Sequence, residues 1–532
     1  MTALRWTPPI ELSKREERVM RRLTRHRKLF AFLRLQRHAI FDAAFQDELG
    51  AIYRDTGEGK APLPPALLAM ATIMQAYAGV SDADAVENAT FDARWQMVLG
   101  VLGEEEAPFS QGALSAFRER LIKHDLDRRL LERTIEFARS TKGFDYKKLP
   151  KALRVAVDSR PLLGAGRVED TVNLLGRAGR QLLLCAAAIA GRDAHALANK
   201  IGAALLLDSS IKAALDVDWT DPPQKADAME RLLGAIESLE KFVREHLTEH
   251  ADGPPLAEHL ATIARLREQD IDPQPPDGGT PGVRDGVAAD RTVSLSDREM
   301  RHGRKSKSRT FTGYKSHVAT DLDDDVVLAC AVLPANRPER EGFDAMREDL
   351  VRVAGDQPVI DELHADRAYT SAALTQSLVK SGAQLLSKPR PPGGKPGMFD
   401  KRDFIIDLRK KTATCPAGQT VPIALGEVAR FDADQCARCH RRTECTTAAR
   451  GRTLSIAADE PLQRKLATLA GTSTGRARLR ERVAIEHTLA RHARVQGTRA
   501  RYRGCRKNLF DARRVACVLN LESAHRSYAC AA

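Results

Sequence analysis

Three carboxylates stand where a folded chain could hold them still. Asp158 follows Leu153, Val155 and Val157, which alternate with Arg154 and Ala156 at the period of a strand; Pro161 and Gly164 then break the pattern. Asp366 closes a second strand-like run, "PVIDELHAD". Glu486 sits on a helical stretch, "RERVAIEHTL", with Val483 and Leu489 on its apolar side and Arg482 one turn before it. Taken singly, an aspartate at a strand end is more often a turn former than a catalyst. Taken together, three converging carboxylates repel one another, so the site they form favours bound cations. Hard oxygen donors suit Mg²⁺ or Mn²⁺. Two such ions ~3.5–4 Å apart activate an attacking water or 3′-hydroxyl and stabilise the leaving oxygen of a phosphodiester.

Two further groups of residues carry chemistry. Cys415, Cys436, Cys439 and Cys445 stand in "CPAGQ" and "CARCHRRTEC". One Cys-x-x-Cys pair with two outlying cysteines forms a tetrahedral thiolate site for structural Zn²⁺, with His440 able to replace one ligand; the alternative is four reduced cysteines in a β-rich insertion. "HGRKSKSRTFTGYKSH" packs Arg304, Lys305, Lys307, Arg309 and Lys315 around Phe311 and Tyr314. "RARYRGCRKN" repeats the blend with Arg501, Arg503 and Lys507. Bases give salt-dependent affinity for phosphates and aromatics stack on unpaired bases, so both stretches read as DNA contacts, or else as solvated loops. The histidines, His302, His317, His364 and His487 among them, show no metal-binding spacing, and no GxxxxGK[ST] loop for a nucleotide is present.

The elements that must position these residues follow from periodicity and caps. Residues 1–150 read as a helical domain for DNA binding or dimerisation. Ser13 and Glu16 fit a capping box, after which Arg18, Arg21, Arg22 and Arg25 share one helix face. "LPPALLAMATIMQAYAGVSDADAVENATFDARWQMVLGV" reads as two helices, the first with Leu67, Ala71, Met74 and Ala78 as its buried stripe, ended by Gly79 and followed by a Ser81 cap. Ser110 caps the next helix, which carries Arg118 and Arg120; this series suits a helix-turn-helix-like binder or any helical bundle. Residues 151–171 hold the first strand of a catalytic core. A helical insertion with a Pro/Gly linker spans 172–289, and the core resumes over 290–390. There "YKSHVATDLDDDVVLACAVLPAN" is a hairpin turning at Asp323 to Asp325, followed by a helix to Gly355, the Asp366 strand, a helix over "SAALTQSLVKSG" and a strand over "AQLLSKPRP". A small Cys-containing β-rich insertion covers 391–472, and residues 473–532 bring one charged helix over "RARLRERVAIEHTLARHARV", then a basic tail and a last helix over about 509–525. Without the insertions the order is three strands, then helix, strand, helix, strand, helix: a mixed α/β sheet with flanking helices, in the ribonuclease-H-like order.

The 532 residues, 43% of them hydrophobic, are enough for several sizeable cores. The formal net charge of +13 points to a polyanionic partner, most simply nucleic acid. No apolar run reaches the ~20 residues of a membrane helix. The start of the chain lacks a signal core, and nine scattered cysteines argue against a disulfide scaffold, so a cytoplasmic protein without a membrane partner is expected.

These stretches resemble a known family. "RVAVDSRPLLG", "MRHGRKSKSRTFTGYKSHVATD", "HADRAYTS" and "RERVAIEHTLARHARV" resemble the first-aspartate strand, second strand, second-aspartate motif and glutamate helix of bacterial insertion-sequence transposases of the aspartate-aspartate-glutamate (DDE) class. "PPALLAMATIMQAYAGVSDADAVENATFDARWQMVLG" is similar to their N-terminal helical domain. The resemblance implies a triad of Asp158, Asp366 and Glu486 holding Mg²⁺ or Mn²⁺, with Arg482 orienting Glu486 or touching a phosphate. It implies DNA as partner, both terminal repeats and target, and a homodimer in a synaptic complex. Two departures are visible: Leu479 stands where many relatives have tyrosine, and Ala493, beside Arg491 and Arg494, where a lysine is common. A nuclease that cuts without joining, or a catalytically silent DNA-binding regulator, are the alternatives.

Overall fold

The computed structural model describes residues 5–24, 28–53, 62–141, 153–273, 282–306, 308–354, 360–370 and 381–531. At its centre lies a mixed sheet of β1 (Leu153–Leu163), β2 (Arg301–Arg304), β3 (Thr310–Asp321), β4 (Val326–Pro334), β5 (Ile360–Ala365) and β6 (Gln384–Leu386). The order runs β2-β3-β1-β5-β6, with β4 also paired to β3. β3 is antiparallel to β1 and β4, whereas β5 lies parallel to both β1 and β6. The chain order of β1, β3, β4, β5 and β6 is the one expected from the sequence, while β2 is an additional strand; with the flanking helices the sheet is the mixed α/β, ribonuclease-H-like one. β1, with Val155, Ala156 and Val157 fully buried, can sit mid-sheet because helices cover both of its faces.

The N-terminal helices are α1 (Lys14–Arg21), α2 (Lys28–Ile40), α3 (Ala43–Gly50), α4 (Pro65–Ala78), α5 (Asp82–Phe91), α6 (Ala93–Leu99), α7 (Gln111–Lys123) and α8 (Leu126–Ser140). Their caps act as the sequence suggests. Ser13 and Glu16 bond reciprocally, Gly79 ends α4 in the left-handed region at φ 70°, and Ser81 and Ser110 cap α5 and α7. Two expectations are corrected. The long apolar stretch makes three helices, not two, because the Asp92 side chain accepts from the Arg94 amide and starts α6. The four-arginine face is not formed: α1 ends at Arg21, Arg22 is its C-cap, and Arg25 lies outside the described residues.

The insertion after β1 carries α9 (Thr171–Ile189), α10 (Pro222–His246) and α11 (Leu256–Asp270) with shorter turns between them. These helices close a hydrophobic cluster of their own around Leu182, Leu206 and Ile236. The linker region is described only in part; its Gly282–Val283 segment pairs with Ile271–Asp272. After the hairpin, α12 (Glu339–Ala354) covers the sheet; the helix expected over 371–382 falls almost entirely outside the described residues. A third small cluster holds the Cys-containing insertion together.

The chain then forms α13 (Glu460–Gly471), α14 (Ser473–Arg480), α15 (Val483–Gln496) and α16 (Cys505–Ala531). The single charged helix of the sequence reading is therefore broken at Glu481 and Arg482, and the last helix is longer than expected at both ends. Val483 is corrected as well: it is 43% exposed, and the buried face of α15 is Ile485, Thr488, Leu489 and His492. α16 packs on α4, α8 and β4, so one continuous core holds the N-terminal helices and the sheet.

Candidate active site

Asp158 and Asp366 are placed by strand register. Val157 pairs with Ala365 in the parallel β1–β5 ladder, so the next residue of each strand is an aspartate at the same sheet edge. Adjacent strands lie about 4.8 Å apart, which makes the two carboxylates neighbours. Each is fixed by its own turn. The Ser159 amide donates to Asp158 Oδ1 at 2.8 Å, and the Arg367 amide donates to Asp366 Oδ1 at 2.8 Å. Glu486 comes from α15, whose buried face packs on β1 and β3. Beyond α15 the chain returns to the end of β1: Leu163 N donates to Thr498 O at 2.9 Å and Ala500 N to Leu163 O at 2.6 Å. That return pins the helix to the strand that carries Asp158.

Arg482 joins the two elements. One Nη donates to Asp158 Oδ2 at 3.0 Å and the other to Glu486 Oε1 at 2.6 Å. Burial pushes the Asp158 carboxyl above its ordinary value and the charge of Asp366 adds to the push, while the Ser159 amide and Arg482 pull it down. The site thus concentrates negative charge that a guanidinium only partly offsets. Asp158, Asp366, Glu486 and Arg482 line one cleft.

The lining of this cleft is also basic. Arg304 and Lys305 line it, and their exposed side chains have no ion-pair partner among the described residues. Lys315 lines it too, but it is buried, donating to Arg337 O at 2.7 Å and pairing with Glu339 at 2.8 Å. Arg309 and Arg503 are exposed, and Lys307 lies outside the described residues. Arg501 instead donates to Val80 O at 2.6 Å and Gly79 O at 3.1 Å, closing the end of α4, and Lys507 pairs with Glu119 at 2.7 Å. Arg491 pairs with Asp325 at 3.1 Å, and Arg118 is buried against Asp82 and Tyr502. Ala493 lines the cleft and offers no charge there.

Two cleft residues were not singled out from the sequence. Arg160 is buried and donates to the Gln496 side chain, and burial lowers its guanidinium to about 10. It follows Asp158 by two residues, so strand alternation places both on one face, and that period was the signal available. Tyr369 is fully buried at the end of the turn that begins with Asp366, its hydroxyl 2.7 Å from His317 Nδ1. Burial lowers His317 to about 3 and raises Tyr369, so the pair is neutral.

Other ligand-type residues group elsewhere. Among the described residues, one set of three has ligand atoms within 4.8 Å of one another: Glu362, His364 and Glu481. Arg154 bonds both glutamates and Arg478 bonds Glu362, so this is a neutralised ion network that ties the α14–α15 turn to the sheet. Cys415, Cys436, Cys439 and Cys445 are half-buried and line a separate pocket with His440.

The sheet order and the carboxylates at its edge define the class, a ribonuclease-H-like protein whose acidic site lies in a cleft that Arg304 and Lys305 also line. Comparison with known families narrows it. Residues 414–525 match a family described as Transposase DDE domain, and residues 18–120 match one described as Transposase domain (DUF772). Together the two matches are consistent with an insertion-sequence transposase of the DDE class. Arg482 and Glu486 fall within the first matched stretch; Asp158 and Asp366 fall outside both. No curated protein and no solved structure matches the chain. No helix of the described residues is long and apolar enough to cross a membrane.

Proposed function

We propose that this transposase binds the ends of its mobile element, hydrolyses a phosphodiester bond at each end and joins the freed 3′-hydroxyls to target DNA. The observation that carries the reading is the meeting of Asp158, Asp366 and Glu486 in one cleft that Arg304 and Lys305 also line. The donor set fits divalent cations: hard carboxylate oxygens, two of them on adjacent strand ends, with an Asp158 carboxyl whose charged form lacks full compensation. Mg²⁺ or Mn²⁺ held by Asp158, Asp366 and Glu486 would supply an activated oxygen nucleophile and charge stabilisation on the leaving oxygen. The chain's own residues do the positioning. The Ser159 and Arg367 amides hold one oxygen of each aspartate and leave the other free of the backbone. Arg482 orients the Glu486 side chain, and its planar guanidinium is suited to a phosphate as well. Arg304 and Lys305 hold the DNA backbone in the cleft. Two ends must be handled together, so two copies act in one synaptic complex.

The test is incubation of the purified chain with Mg²⁺ or Mn²⁺ and a duplex carrying the DNA that borders its own gene. Nicks at a defined boundary and joined products, both lost in Asp158→Ala and Glu486→Gln, are expected. Cleavage without joining would make the chain a nuclease. Specific binding without cutting at any metal concentration would make it a silent regulator.

A further inference from the structure

The Cys-containing insertion has too small a core to hold itself by burial. Its cluster comprises nine buried apolar side chains, on or beside strands of three residues each, and its two helices, of five and four residues, bury none. Modules of this size are commonly held by a disulfide or a metal. The structure forms no disulfide here: all four cysteines are free. They nonetheless gather, from three places in the chain, around one pocket.

Tight turns surround two of these cysteines. In Cys415-Pro-Ala-Gly the Gly418 amide donates to Cys415 O at 2.9 Å, and Gly418 has a φ of 88°, open to glycine at little cost. The Cys415 amide donates to Gln419 O at 2.8 Å, closing the loop. In the second loop the Arg441 amide donates to Cys439 Sγ at 3.4 Å. The surroundings are cationic. Arg438, Arg441, Arg442 and Arg452 line the same pocket, and a four-thiolate Zn²⁺ centre carries a net charge of about −2 that they would offset.

We infer that Cys415, Cys436, Cys439 and Cys445 bind one Zn²⁺ and that this ion holds the insertion folded. Four thiolates ~2.3 Å from one ion stand ~3.8 Å apart, whereas no three of these thiols all lie within 4.8 Å of one another, so binding draws the ring inward. With all four positions filled by protein, no site is left for water and the ion is structural. His440, exposed on the rim, stays outside the ligand set. The inference is independent of the transposase reading, because it needs no DNA and no activity.

The experiment uses the full chain purified under reducing conditions. Metal analysis of the wild type should find about one zinc per chain. Cobalt substitution should show sulfur-to-metal charge transfer with the strong visible bands of a tetrahedral centre. Cys436→Ser and Cys439→Ser should lose the zinc, whereas Cys185→Ser and His440→Ala keep it. The wild-type cobalt spectrum does not depend on whether the serine variants fold. Wild-type protein that holds no zinc after zinc supplementation and gives no charge-transfer band would overturn the inference. So would a disulfide among the four cysteines in the reduced preparation, or loss of zinc in His440→Ala.

Discussion

Arg482 is the residue on which the acidic site turns. It bonds at once Asp158, 324 residues away in sequence, and Glu486, one helical turn on. Its positive charge favours the ionised form of Asp158, against burial and Asp366, which disfavour it. Removing it therefore raises the Asp158 carboxyl further. Protons then compete with metal at higher pH, so the acid limb of the pH–activity profile should move up in Arg482→Ala. The metal concentration for half-maximal cleavage should rise about 10–100-fold, as when other groups that orient metal ligands are lost. Arg482→Lys keeps the charge but cannot bridge two carboxylates with one planar fork, so it should fall between. A profile that does not move in either variant would reduce Arg482 to a helix-start residue. Asp158, Asp366 and Glu486 were readable in the sequence because strand ends and a helix face are local patterns. Arg160 was passed over although the same alternation reached it, and Lys507 and Arg501 looked like DNA contacts because nothing local shows Glu119 or the end of α4 beside them.

At the level of elements, the cleft depends on how α12 sits against β3. Gly342 packs so closely on the His317 ring that an added Cβ would come within 2.2 Å of Nδ1. His317 in turn meets the Tyr369 hydroxyl, at the end of the turn that Asp366 opens. Gly342→Ala must push either the helix or the ring, at a cost of about 1–3 kcal/mol for overpacking. Thermal unfolding should show that loss, and cleavage should fall more than stability alone explains because Asp366 shifts with the turn. Wild-type activity at full folding would show that the turn is insulated from α12. The sequence told the order of the strands and most helices, since caps such as Ser81 and breakers such as Gly79 are local signals. It did not tell the break between α14 and α15. The run "RARLRERVAIEHTL" is rich in good helix formers, and the break lies where Arg154, on a distant strand, bonds Glu481. Only the tertiary ion pair marks it.

Across the whole molecule, charge does two separate jobs. Inside, arginines bind the N-terminal helices to the helices that cover the sheet: Arg513 of α16 pairs with Asp125 and Asp127 at the start of α8 and with Asp349 of α12. Asp127 and Asp349 are 2% and 5% exposed, so Arg513→Ala strands buried carboxylates and should cost about 3 kcal/mol in denaturant unfolding, near the lower end because Arg506 still reaches Asp127. Outside, the excess of +13 is available to phosphates only where cations lack an internal partner. Many do not lack one, as Lys315, Lys507 and Arg491 illustrate, so net charge overstates the binding surface. Arg304 and Lys305 line the cleft of the carboxylates and have no ion-pair partner among the described residues. If each neutralises one DNA phosphate, replacing both by alanine should reduce the slope of log affinity against log salt by about 2, uniformly across sequences. The same replacement at Lys507 should leave the slope unchanged and instead weaken the α7–α16 contact it makes with Glu119. Titrating labelled duplex at a series of salt concentrations separates the two; equal slopes for the wild type and the Arg304/Lys305 double variant would remove this pair from the DNA path.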